Sequence, residues 1–156
     1  MAELHPEGAH VNGAGLWLLP PAEQWDLTEA GCDRLVDRLV AARDAPADDA
    51  NVPCHFLWIT SEDEVVGFLA LRLELTAWLL DQGGHIGYSV APSHRRQGHA
   101  ARALGLAVRR AGELGLDRVL VTCDEDNVAS ARTIESGGGV LEDTRSGKRR
   151  YWIATS

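Results

Sequence analysis

Residues 85–101 read HIGYSVAPSHRRQGHAA, and the reading of this stretch decides the fold. HIGYSV is a short run suited to a strand, and Pro92, which has no N–H to give a ladder, ends it. From Gln97 the period changes. Leu104, Val108, Ala111 and Leu114 share one helical face, while Arg102, Arg109, Arg110 and Glu113 fall largely on the other. The strand and the helix are joined by Arg95-x-x-Gly98-x-Ala100. Gly98 permits close backbone approach and Ala100 leaves room beside it, so the free N–H groups of a helix start can converge on an anion, assisted by the helix dipole. Residues 95–110 hold Arg95, Arg96, Arg102, Arg109 and Arg110 without a single acid. A local phosphate site is the sharp expectation, and an ordinary turn into an Arg-bearing helix is the plain one. Neither a Walker loop nor a dinucleotide fingerprint is present.

Working outward, LWLL at 16–19 predicts a first strand stopped by Pro20-Pro21, and Asp26 with Glu29 predicts a capped helix over about 23–43. HFLWIT and VVGFLALRLEL predict a hairpin around the SEDE turn, and LDRVLVTC predicts a strand buried on both faces. VASARTIES predicts a short helix capped by Asp126 or Asn127 and ended by Gly137-Gly138-Gly139. Two last strands, near 139–144 and 149–154, flank Ser146-Gly147. The order describes one mixed α+β domain over 16–156, with residues 1–15 a flexible tail. The 156-residue length and 45% hydrophobic content suit one compact domain. Its net charge of -8 disfavours nucleic acid, and no apolar run reaches the roughly 20 residues that span a bilayer. The N-terminus lacks the basic and apolar regions of a secretory signal, and three cysteines without CxxC spacing fit a reduced cytoplasm.

VAPSHRRQGHA after a strand resembles the acyl-CoA pyrophosphate loop of the GNAT superfamily of N-acetyltransferases, and DNVASARTIESGG resembles the superfamily's next motif, an Asn opening a short helix that ends in Gly. The blocks VPCHFLWI, VVGFLALRLELTAWLLDQGGHIGYSVAPSHRRQGHA, LDRVLVTCDEDNVASARTIESGGGVLED and RRYWI are similar to a bacterial subfamily of GNAT acetyltransferases without an agreed substrate. The resemblance implies a mixed, mostly antiparallel sheet of six to seven strands with splayed central strands, flanked by helices. It implies acetyl-CoA as co-substrate. Its pyrophosphate would be held at Arg95, Arg96, Gln97, Gly98, His99, Ala100 and Ala101, largely by backbone N–H groups. Tyr88, Ser89, Val90 and Ala91 would line the pantetheine arm, and Asn127 with Ser130 would contact it. Homodimers are common in the superfamily, and Tyr151-Trp152-Ile153 would supply an apolar strand for one.

Direct acyl transfer to an amine needs a base for the ammonium proton, and an acid for the departing thiolate assists it. Glu74 on the third strand and His85 at the start of the fourth are the candidate bases, and the two are not separated by sequence. His85 has an ordinary pKa suited to neutral pH. Glu74 serves equally as a site for the acceptor's ammonium, and Arg72 as one for its carboxylate. Many members of the superfamily carry a Tyr acid seven residues after the Asn; here that position is Ile134, leaving Tyr88 or Tyr151 as substitutes. His94 with His99, and Cys54-His55, lack zinc-ligand spacing, so no metal is expected. Residues 23–64 carry 11 acidic and three basic side chains, a solvated face that could also steer a cationic amine. The expectation is a cytoplasmic N-acetyltransferase acting on a small-molecule amine, a lysine or a protein N-terminus. The alternatives are an acyl-CoA-binding sensor or accessory module without catalysis, and a partner-binding domain in which the Arg loop is only a turn.

Overall fold

The computed structural model describes residues 11–48 and 51–156. Six strands form one sheet: β1 (Cys54–Ser61), β2 (Glu64–Arg72), β3 (Ile86–Val90), β4 (Arg118–Asp124), β5 (Val140–Arg145) and β6 (Lys148–Ala154). Three α-helices accompany them: α1 (Glu29–Arg43), α2 (His99–Glu113) and α3 (Val128–Ser136). The sheet order is β1-β2-β3-β4-β6-β5, with β3 and β4 parallel and every other neighbouring pair antiparallel. The main core lies between the sheet and α2 with α3. Leu104, Ala107 and Ala111 of α2 and Ile134 of α3 pack there against Leu69, Leu71, Val119 and Val121. Val119, Leu120 and Val121 are all fully buried, as a strand covered on both faces requires. Among the described residues, no helix is long and apolar enough to cross a membrane.

Several local expectations are corrected. LWLL is not a strand but a 3-10 turn over Leu16–Leu18, so the sheet has six strands rather than seven. Gly13 and Gly15 hold φ of 85° and 72° and curl the chain, which then turns Leu16 and Leu19 inward and leaves Trp17 half exposed. Residues 1–10, most of the expected tail, lie outside the described residues. Residues 11–15 are part of the fold: Ala14 is buried, and Gly13 approaches β2 and β3 so closely that a Cβ on it would meet Gly87 O at 2.8 Å. The first helix starts at Glu29, not near 23. Asp26 Oδ1 accepts from the Thr28 N–H and hydroxyl, closing a turn ahead of the helix, and Thr28 Oγ1 is the cap that accepts from Gly31 N–H. β2 stops at Arg72, so Glu74 stands on an exposed bend and not on a strand. The apolar strand Tyr151-Trp152-Ile153 lies inside the sheet between β4 and β5 and offers no free edge for a dimer; the edges are β5 at that end and β1 at the other.

The feature that shapes the site lies between β2 and β3. Leu79–Gly83 forms one π-helical turn, and Gly84 follows with φ 63° and ψ -177°. A Cβ on Gly84 would stand 2.6 Å from the Leu120 carbonyl oxygen, so only glycine fits this approach of the chain to β4. Beyond it, His85 N–H donates to Leu120 O and Arg72 N–H donates to His85 O. β3 then pairs with β4 only where Ile86 faces Val121. Gly84→Ala is expected to cost about 2 kcal/mol or more from backbone strain and the clash, a fall in Tm of at least about 4 °C read by thermal melting.

Candidate active site

Past Ile86 the two parallel strands diverge, and the opening between them is lined by Tyr88 on one side and by Thr122 and Cys123 on the other. Ala91 N–H donates to Val66 O and Arg72 N–H to His85 O, which fixes the odd-numbered residues of this segment as those bonded to β2. By the alternation of an antiparallel ladder, the backbone groups of Tyr88 and Val90 therefore face the opening. The Val90 carbonyl is taken by Arg95 Nε at 3.1 Å. Tyr88 O–H and Ser130 Oγ are 2.8 Å apart, joining β3 to α3 across the opening. Asn127 Oδ1 accepts from Ser130 N–H as the cap of α3, and its amide nitrogen has no partner among the described residues.

The opening continues into a cleft of about 2040 Å³ that reaches the start of α2. Gly98 is the cap residue of that helix, with φ 83° and no side-chain hydrogen bond, so the first N–H groups of α2, from His99, Ala100 and Ala101, have no intrahelical acceptor. Arg96 also takes a left-handed φ, 61°, so two such residues surround Gln97 and turn the backbone into a concave loop. A Cβ at Gly98 would meet nothing within 4 Å, meaning that the space in front of the loop is open. His99 Nε2 is buried without a partner among the described residues. Free N–H groups, a helix N-terminus, an orphaned ring nitrogen and an open cradle suit a pyrophosphate. The residues expected there do not all act alike. Arg95 folds back on Val90 O, and Ser89 Oγ is committed to Asn12 O at 2.7 Å, so the side chain of Ser89 ties down the N-terminal segment.

The two expected bases fare differently from the loop. Neither Glu74 nor His85 lines the cleft. His85 is 8% exposed, and its Nδ1 accepts from Leu120 N–H at 2.8 Å. Burial, with the Arg72 cation nearby, pushes its pKa down to about 4. A ring whose one acceptor nitrogen is already occupied has none left for an ammonium proton. The reading from residue type missed this because a neighbour 35 positions away holds the ring. Tyr151 is also off the cleft: it is buried and its hydroxyl donates to Glu135 Oε1 at 3.0 Å. Tyr88 does line the cleft, and burial raises its pKa. Cys54 and Cys123 line it as well; burial pushes the Cys54 thiol up to about 11 and raises that of Cys123. The far end is walled by Trp17, Phe56, Trp78 and Arg72.

The sequence pattern of the "Acetyltransferase (GNAT) family" matches residues 22–138. The chain belongs to the GNAT acetyltransferase family. Among curated proteins none matches it. Several solved structures share its fold at low identity. The microcin C7 self-immunity acetyltransferase MccE, solved with acetyl-CoA and AMP, is 15% identical with a TM-score of 0.59 over 80% of this chain and 70% of that one. The acetyltransferase yncA from Salmonella typhimurium, solved with acetyl-CoA, is 16% identical with a TM-score of 0.57 over 92% and 86%. A mutant spermidine/spermine N-acetyltransferase SpeG from Vibrio cholerae is 15% identical with a TM-score of 0.57 over 79% and 76%. At these identities the likeness shows the α+β fold with its six-stranded mixed sheet.

Two measurements follow from the site's geometry. Gly98→Ala places a methyl in the open cradle and strains the loop; its affinity for acetyl-CoA by calorimetric titration is expected to fall about tenfold or more, with a Tm loss of a few degrees from about 1–2 kcal/mol of left-handed strain. His85, depressed from 6.5 to about 4, takes up its proton in the unfolded chain first. Its contribution to stability is therefore complete above pH 6.5 and lost as pH falls toward 4, a loss of about 3 kcal/mol. Denaturant unfolding at pH 7 and pH 4 is expected to show that loss in the wild type and a flatter profile in His85→Gln.

Proposed function

We propose that this GNAT protein transfers the acetyl group of acetyl-CoA directly to a primary amine, with no covalent enzyme intermediate. The observation that carries the reading is the opening beyond Ile86 and Val121, which runs into the uncapped start of α2. Acetyl-CoA, when bound, supplies the activated acyl group. The N–H groups of His99, Ala100 and Ala101 would hold its pyrophosphate, and the backbone groups of Tyr88 would pair with its pantetheine arm as an added strand does. An N–H of β3 would stabilise the oxyanion. Burial keeps Cys54 and Cys123 as thiols, which supports direct attack over a thioester on the protein.

Of the candidates for the acid, Tyr88 is favoured. Its hydroxyl lies in the opening, is oriented by Ser130, and is kept protonated by burial, the state in which a proton can be given to a departing thiolate. Glu74 and His85 are replaced as bases by solvent: the amine proton leaves to water in the open cleft. Acetyl-CoA with a panel of amines is expected to release free thiol, and Tyr88→Phe to lower kcat about tenfold or more while leaving the acetyl-CoA Kd within about twofold. An unchanged kcat would remove Tyr88 from the chemistry. Acetyl-CoA binding without turnover of any amine would favour a sensor.

A further inference from the structure

The far end of the cleft has a chemistry of its own. Arg72 closes β2 with its guanidinium against Gly87 of β3, where an added Cβ would stand 3.6 Å from Nη1 and 4.0 Å from Nη2. Nη1 donates to Gly83 O at 3.4 Å and Gly84 O at 3.2 Å, and the guanidinium stands over the Trp17 ring at 5.5 Å from its centre. Nε and Nη2 have no acceptor among the described residues, and no carboxylate there pairs with the group. Burial pulls the Arg72 pKa down, the mark of a cation held out of water without an anion beside it. Arg38 of α1 lines the same end and likewise makes no ion pair among the described residues. Among the described residues, two carboxylates line the cleft. Asp124 is held by Lys148, and Asp48 accepts from Asn51 N–H within its own loop. The acidic segment, read from sequence as a solvated face with steering of a cationic amine as its second option, is set against a pocket wall that is cationic and aromatic, with the Trp17 and Phe56 rings 5.6 Å apart.

Granted the acetyl transfer proposed above, we infer that the acceptor is an amine carrying a carboxylate on a flat apolar body, an aromatic α-amino acid in its chemistry, with Arg72 as the carboxylate receptor. Its unused Nε and Nη2 donors present the fork that matches a carboxylate. Gly87 lies one residue from Tyr88, about 3.4 Å along the strand, so a carboxylate on Arg72 brings a neighbouring amine to the opening rather than deep into the pocket. Trp17, Phe56 and Trp78 form the apolar wall for the body. A polyamine, with several cations and no anion, would meet two arginines.

The test uses phenylalanine, phenylalaninamide, phenethylamine and spermidine as acceptors at saturating acetyl-CoA. It adds calorimetric binding of acetyl-CoA, N-acetylphenylalanine and N-acetylphenethylamine, for the wild type, Arg72→Met and Arg72→Lys. The wild type is expected to prefer phenylalanine in kcat/KM by about tenfold or more over the three others; Arg72→Met erases that preference, Arg72→Lys restores part of it, and both keep the acetyl-CoA Kd. Without turnover of any acceptor, tighter binding of N-acetylphenylalanine than of N-acetylphenethylamine, lost in Arg72→Met, supports the inference. A preference for spermidine or phenethylamine overturns it, as does an Arg72→Met that slows every acceptor alike, since the guanidinium then only caps the Gly83 and Gly84 carbonyls. Equal binding of the two acetylated compounds by a wild type inert toward every acceptor also overturns it. Failure of the wild type to bind acetyl-CoA at all would strike the function proposed above instead.

Discussion

The hydrogen bond from Leu120 N–H to the His85 ring is the constraint on which the cleft depends. Parallel strands that pair at both ends leave no room for a ligand, and strands that pair at neither end have no fixed spacing. Here His85 ties three strands at one point: its carbonyl accepts from β2, its N–H donates to β4, and its Nδ1 accepts from β4 again. The bond to Nδ1 holds only for a neutral ring, and burial keeps the ring neutral across the physiological range. The chain reaches this point through Gly84, whose missing side chain lets the backbone lie on the Leu120 carbonyl. Everything beyond, from the free edge at Tyr88 to the loop before α2, inherits its position from there.

Charge is arranged around the cleft against the sign of the molecule. The chain has a net charge of -8, yet Arg38, Arg72, Arg96, Arg132 and Lys148 line the cleft against two carboxylates among the described residues, both already occupied. Eleven of the 23 acids fall within residues 23–64, and most of the others lie elsewhere off the cleft. A polyanionic co-substrate is thus drawn to one place on a surface that otherwise repels it. The split also explains why a strongly acidic composition gives no guide to the ligand: what matters is which charges converge on the concave surface.

Most of the fold was legible in periodicity and turn chemistry. Helix α2 carried its face in Leu104, Val108 and Ala111, β4 its continuous apolar run, and α3 its Asn cap and Gly stop. The errors share a cause. LWLL and the 23–43 helix were read from apolar spacing, while the local geometry is set by Gly13, Gly15 and the Asp26-Thr28 turn, whose hydrogen bonds override it. The phosphate loop was legible because its chemistry is local: backbone N–H groups need only glycine and a helix start. The structural role of His85 was not, because an imidazole's role depends on what touches it, and Leu120 is distant in sequence. Arg72 read only as an optional carboxylate site; that it lacks an anion could be known only once β2, β3 and the π-helical turn were brought together.

That neither Glu74 nor His85 lines the cleft bears directly on which amines it can use. At pH 7.5 the amine of a free α-amino acid, with a pKa of roughly 9 beside its own carboxylate, is a few per cent neutral, whereas a lysine-type amine at 10.4 is about one thousandth neutral. An enzyme for the latter must hold a proton acceptor close to the ammonium, and the groups expected to do so here, Glu74 and His85, lie off the cleft. Two arginines nearby lower the pKa of any amine placed among them, which raises the neutral fraction of an α-amine further and disfavours the entry of a permanent cation. The place of Glu74 and His85 off the cleft and the presence of cations without ion pairs among the described residues therefore select in the same direction. A carboxylate beside the amine completes the pairing that Arg72 lacks among the described residues, and the same contact would orient the substrate.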